Sequence, residues 1–155
     1  MAAYALRRGG PDDLEAVRRL NSLCFSEPWS AASLCSALES GYDLLLCECD
    51  GIPVAFLLSL RVLDEIQIMQ IGVAPDHRRR GLARRLTMAL LDDTADACTL
   101  TLEVRRSNRL AQALYTSLGF EIVGCRPRYY ASDAAGLRED ALLMSRSVAP
   151  EPRKP

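Results

Sequence analysis

Apolar and polar positions alternate in two distinct periods along the chain, and the switches between them divide it into strands and helices. "YALRRG" (4–9) has the length and alternation of a short strand. "GPDDLEAVRRLNSLCF" (10–25) changes to a helical period, with Pro11 and two acids in the first turn and a stripe of Leu14, Val17, Leu20 and Leu23. "EPWSAASLCSALESG" (27–41) reads as a second helix, capped by Ser30 and ended at Gly41. "YDLLLCECDGIPVAFLLSL" is predicted to form two strands around Asp50-Gly51, a dipeptide suited to a tight hairpin. "DEIQIMQIGVA" (64–74) continues as a strand to Pro75. "GLARRLTMALLDD" is predicted to be an amphipathic helix through Leu82, Leu86, Ala89, Leu90 and Asp93.

The second half repeats the alternation. A strand over 98–104 precedes a helix over 107–119, then strands over 120–130 and 140–148. The helix carries a predicted core stripe of Leu110, Leu114 and Leu118, and Ser107 or Asn108 is its cap. The expected fold is α/β of the α+β type, a mixed and mostly antiparallel sheet flanked by helices. A single domain is expected over 1–148, and "APEPRKP" (149–155), rich in proline, reads as a disordered tail.

Composition narrows the class. With 49% hydrophobic and 25% charged residues, the 155-residue chain has the balance of a globular protein. Its longest apolar run falls short of a membrane span. No signal-peptide or lipidation pattern is visible, so a cytoplasmic location without membrane attachment is expected. Six cysteines show no regular spacing and His77 is the only histidine, so neither a metal site nor a Cys–His nucleophile is expected.

Two stretches carry candidate chemistry. "APDHRRRGLARRL" (74–86) sets five arginines around Gly81, where a strand gives way to a helix. Unpaired amides at a helix start, small residues at Gly81 and Ala83, and nearby guanidinium groups make a phosphate cradle, although charge runs more often form a solvated face. In "TLEVRRSNRLAQALYTSLGF", Thr99, Thr101 and Glu103 share one face of a strand while Leu100, Leu102 and Val104 occupy the other. Tyr115 lies on the following helix, one step around from the leucine stripe, so a carboxylate and a phenol become candidates for one cleft.

Taken in order, these stretches resemble the GNAT superfamily of acyl-CoA-dependent N-acetyltransferases. "RRRGLA" fits its [QR]-x-x-G-x-[GA] loop through Arg78, Gly81 and Ala83, with alanine where many members have glycine. The series "FSEPWS", "LDE", "IGVAPDHRRRGLA", "LEVRRSN", "ALYTSLGF", "RPRYY" and "REDALLM" is similar to the RimI-type ribosomal-protein alanine N-acetyltransferases. The resemblance implies acetyl-CoA as co-substrate, held by Arg78, Arg79, Arg80, Gly81, Leu82, Ala83 and Arg84. Ile71, Gly72 and Val73 would lie on the pantetheine and thioester, on one strand of a splayed pair, and Asn108 would also touch the cofactor. It implies Glu103 as general base and Tyr115 as general acid, with no metal. The implied acceptor is the N-terminal peptide of a ribosomal protein, flanked by Glu27, Trp29, Asp64, Glu65, Tyr129 and Tyr130.

Three other readings compete. A regulatory acyl-CoA-binding module would keep the loop without the acid–base pair. A transferase acting on lysine, polyamine or antibiotic amines would keep both. A nucleic-acid binder would use the same arginines, but a net charge of −1 and the lack of interleaved aromatics disfavour direct nucleic-acid contact.

Overall fold

The computed structural model describes residues 3–94, 96–97, 99–130 and 136–147. The expected tail at 149–155 lies outside these residues. The strands are β1 (Tyr4–Gly9), β2 (Asp43–Cys49), β3 (Ile52–Val62), β4 (Glu65–Val73), β5 (Thr99–Arg105), β6 (Glu121–Arg126) and β7 (Ala141–Ser147). The helices are α1 (Leu14–Cys24), α2 (Ala31–Glu39), α3 (Leu82–Asp93) and α4 (Arg109–Ser117). Seven strands follow the order β1-β2-β3-β4-β5-β7-β6 in a mixed sheet flanked by helices, as the sequence predicts. The chain divides into two compact units, Met1–Arg61 with Ile68–Thr94, and Val62–Gln67 with Ala95–Pro155.

In the first unit, β1, β2 and β3 pair antiparallel. The β2–β3 hairpin turns on Asp50 (φ 52°) and Gly51 (φ 82°), the two left-handed residues that the Asp-Gly signal calls for. Leu44 to Cys47 and Val54 to Ser59 are all buried, because helices cover both faces of these strands. Val17, Leu20, Leu34, Ala37 and Leu38 of α1 and α2 pack on Leu44, Leu46, Phe56 and Leu58, while α3 packs on β2. Ser30 caps α2 by accepting from the Ser33 amide at 3.1 Å.

One feature of this core departs from the predicted stripe. Leu23 is half exposed, and Asn21 is fully buried in its place. The Asn21 amide forms a reciprocal pair with Gln70 of β4. Its Nδ2 donates to Gln70 Oε1 at 2.9 Å, and its Oδ1 accepts from Gln70 Nε2 at 3.1 Å. Oδ1 also accepts from the Trp29 amide at 3.1 Å. A buried polar side chain is stable in a core only when paired in this way.

The second unit holds β5, β7 and β6, paired antiparallel. Leu100, Leu102 and Val104 are buried, and Thr99, Thr101 and Glu103 alternate with them on the more open face. α4 ends at Gly119, whose φ of 92° lets the chain reverse and bring Phe120 into the core. β6 stands last in the strand order and is exposed at five of its six residues, with a register shift between Ile122 and Gly124. The sequence overextends this strand to 120–130, because aromatic residues after Pro127 keep a strand-like composition while the chain turns at Arg128 (φ 54°).

Replacing Asn21 by Leu strands the Gln70 amide and the Trp29 N–H in the core. The expected cost is about 2–5 kcal/mol, from unsatisfied buried groups at about 1–3 kcal/mol each, read by urea unfolding.

Candidate active site

The arginine loop belongs to the first unit. β4 ends at Val73, a single 3₁₀ turn spans Pro75–His77, and α3 opens after Gly81. Arg79 (φ 63°) and Gly81 (φ 74°) are both left-handed, so the backbone winds into a concavity before the helix starts. Gly81 has no side chain to cap α3, and the first helical bond runs from the Arg85 amide to the Gly81 carbonyl at 3.0 Å. The preceding amides of Leu82, Ala83 and Arg84 therefore have no partner within the helix. A Cβ placed on Gly81 meets nothing within 4 Å, so the space beside Gly81 is open. That combination of N–H groups left over by the helix ladder, open space beside Gly81 and helix dipole fits a pyrophosphate.

The arginines separate into different duties. Arg79 and Arg80 are exposed beside the concavity. Arg78 turns back and donates through Nε to the Val73 carbonyl at 3.0 Å, so it braces the loop against the strand end. It also lies beside Cys24, whose thiol pKa is raised by burial against the pull of this guanidinium. Ile71 and Val73 are half-buried and Gly72 is buried. A Cβ on Gly72 would meet Phe56 Cε1 at 3.0 Å and Cys24 Sγ at 3.1 Å, so this strand end has room only for glycine.

The second unit holds the candidate acid–base groups. Glu103 points from the open face of β5, where its Oε1 pairs with Arg126 Nε at 3.3 Å. Tyr129 and Tyr130 stand beside it, with their rings edge-to-face at 5.1 Å. The negative charge of Glu103 raises the Tyr129 phenol pKa. Burial, with Glu103 next, pushes Tyr130 up to about 12. Arg126 lies 5.5 Å from the Tyr129 ring centre and Arg105 4.1 Å from that of Tyr130. Arg105 is held in turn by Glu139, at 3.3 Å, whose other oxygen accepts from the Ser107 amide at 2.6 Å.

Tyr115 departs from its expected position. Leu110, placed in the core stripe by its spacing, is 86% exposed, and Tyr115 is the buried residue of α4 at 4%. Its ring packs edge-to-face on Phe120 at 5.7 Å, and burial lifts its phenol well above the ordinary range. Asn108 caps α4, accepting from the Ala111 amide at 3.2 Å.

The remaining sequence candidates separate. Glu65 accepts from Thr101 Oγ1 at 3.3 Å, on the same β5 face as Glu103, while Asp64 is exposed and its carbonyl accepts from the Thr99 amide at 3.4 Å. Glu27 is exposed. Trp29 packs against the core and lines an open cavity of about 570 Å³ with Ser33, Ser36 and Tyr42. Sequence reasoning passed over Arg126, Arg105 and Glu139. The spacing of Gly124 and Arg126 along β6 was the available signal, but it shows a shared strand face only once the pairing is known.

The buried phenol sets a pH dependence. Stability is complete below pH 10 and falls above it, because phenols in the unfolded chain ionise first while Tyr115 stays protonated. Tyr115→Phe is expected to remove a slope of up to about 1.4 kcal/mol per pH unit, checked by urea unfolding between pH 9 and 11.5.

Comparison with known proteins bears on the fold and the family. The model of the acetyltransferase (GNAT) family matches residues 14–120. A [ribosomal protein bS18]-alanine N-acetyltransferase of Salmonella typhimurium is 38% identical over 139 residues, covering 88% of this chain and 93% of that protein. The crystal structure of the ribosomal-protein-S18-alanine N-acetyltransferase from Escherichia coli superposes with a TM-score of 0.92 at 33% identity, over 99% of each chain. A putative acetyltransferase from Salmonella typhimurium, solved with its cofactor acetyl-CoA, shares the fold at a TM-score of 0.80 and 17% identity, over 99% of this chain and 98% of that one. The family match covers more than half of the chain, and the chain belongs to the GNAT family of acetyltransferases.

Proposed function

We propose that this chain acetylates the N-terminal alanine of ribosomal protein S18 in the cytoplasm, using acetyl-CoA as co-substrate. Residues 1–148 would act as one N-acetyltransferase domain. The observation that carries the reading is the likeness, across 93% of its length, to a relative bearing that name. A carboxylate beside two tyrosines supports it on chemical grounds.

Acetyl-CoA supplies an acetyl group activated as a thioester. The amides of Leu82, Ala83 and Arg84 and the guanidinium groups of Arg79, Arg80 and Arg84 hold its phosphates, with Arg78 keeping the loop in place. Ile71, Gly72 and Val73 orient the acyl arm, and an amide near Val73 steadies the carbonyl oxygen. Asn108 adds a polar contact from the start of α4.

Glu103 takes the proton from the peptide α-amine, directly or through water. That amine has a reference pKa of about 7.7–8.0, so it needs little help to become nucleophilic. Tyr115 donates its O–H to the departing sulfur. Its burial keeps the phenol protonated in the resting enzyme. Full transfer to a thiolate with an ordinary thiol pKa near 8.5 is uphill, so Tyr115 acts mainly as a hydrogen-bond donor while charge builds on sulfur. Trp29, Tyr129 and Tyr130 wall the peptide, and Glu27, Asp64 and Glu65 meet a basic second or third residue.

Glu103→Gln is expected to lower turnover by roughly 10²-fold or more at unchanged acetyl-CoA affinity. Mass spectrometry on a panel of N-terminal and lysine peptides checks the acceptor. An internal lysine that outcompetes every α-amine would overturn the acceptor assignment.

Gly81→Val is expected to weaken acetyl-CoA binding by filling the open space before the loop amides. It also forces a β-branched residue into a left-handed backbone, at about 1–2 kcal/mol. Calorimetric titration of the folded variant checks the binding, and ordinary affinity would remove the loop from the cofactor site.

A further inference from the structure

We propose that Arg126 makes the site select its acceptor by protonation state, admitting neutral α-amines and turning away lysine ammonium groups. The inference rests on Glu103 being the base that receives the amine.

The arrangement follows from the pairing of three strands. In register, Arg105 of β5 faces Ala141 of β7, and Ala141 faces Arg126 of β6, so a small side chain separates the two cations. Glu103 faces Leu143, which pairs with Gly124. The Leu143 side chain fills the space over Gly124, where a Cβ would meet its Cδ1 at 3.1 Å, so no β6 side chain competes for that row. The Arg126 side chain reaches across β7 to Glu103 Oε1 at 3.3 Å. The Tyr129 ring lies 5.5 Å from the guanidinium and fixes its position from a second direction.

Among the described residues, the charged and titratable groups around the carboxylate include Arg126, Arg105, Glu139, Glu65, Tyr129 and Tyr130. The β7 residues between them, Ala141 and Leu143, carry no charge. Glu139 is spent on Arg105 and the Ser107 amide, and Glu65 on Thr101. Among the described residues, the cation paired with Glu103 is Arg126. An incoming ammonium must share one carboxylate with a cation already seated on it, whereas a neutral amine brings no charge to repel.

At pH 8 about half of all α-amines are neutral, against about 0.4% of lysines with a pKa near 10.4. Any amine nucleophile inherits this difference of roughly 10²-fold, and Arg126 preserves it by denying the ammonium form the stabilisation that an unpaired carboxylate would give.

The test compares wild type, Arg126→Gln, Arg126→Lys and Glu103→Gln on two peptides. One offers a free N-terminal alanine, and the other an acetylated N-terminus with an internal lysine. In the wild type, kcat/KM for the alanine peptide should fall as pH drops through the amine's own pKa of about 7.7–8.0. Arg126→Gln should move that acid limb to lower pH and raise the lysine-to-alanine kcat/KM ratio about tenfold. Arg126→Lys, which keeps the charge but loses the planar fork, should retain the wild-type ratio. A purely structural role for Arg126 would move neither limb nor ratio in this charge-dependent order. If Glu103→Gln loses turnover while Arg126→Gln keeps the wild-type limb and ratio, the filter is overturned and the base stands. If Glu103→Gln retains turnover, the base assignment falls and the filter falls with it.

Discussion

The reciprocal amide pair between Asn21 and Gln70 is the constraint on which the first unit depends. It joins the middle of α1 to β4 one residue before Ile71, and the same oxygen holds the backbone of Trp29. Hydrophobic packing of α1 on the sheet is non-directional and would tolerate a sliding helix. Four directional groups locked into one another would not. The segment around Trp29 and the strand that leads to Ile71 thereby share a fixed reference.

The second unit achieves the same end by alternation. β5 buries Leu100, Leu102 and Val104 and presents Thr101, Glu103 and Arg105 on the other side, so a strand anchored by its apolar face delivers a carboxylate with little freedom. Around that carboxylate, two arginines, two tyrosines and Glu139 each touch more than one neighbour. The side chains lose their freedom on folding, before any substrate arrives, and such preorganisation lowers the cost of binding.

Much of this was legible in the sequence because the signals were local. The Asp50-Gly51 turn, the Ser30 cap, the alternation of 99–105 and the strand–loop–helix at Gly81 each depend on a few adjacent residues. The misses share a different origin. Leu23 and Leu110 fit their helical stripes by spacing, but the helices are rotated so that Asn21 and Tyr115 face inward. Hydrophobicity gives a helix its period, and only the partner surface decides which of two adjacent rows it meets. Arg126 was missed for the same reason: its meeting with Glu103 depends on β7 lying between two strands far apart in sequence.

The irregular pairing between Ile122 and Gly124 has a consequence for how the molecule meets copies of itself. β6 ends the strand order and shows Ile122 and Val123 to solvent, a composition that invites another strand to add alongside. The extra residue bends the strand and spoils the even spacing of its outward N–H and C=O groups. An approaching strand finds no continuous ladder to copy. The irregularity that precedes Arg126 on β6 thus also interrupts the edge along which another strand would pair.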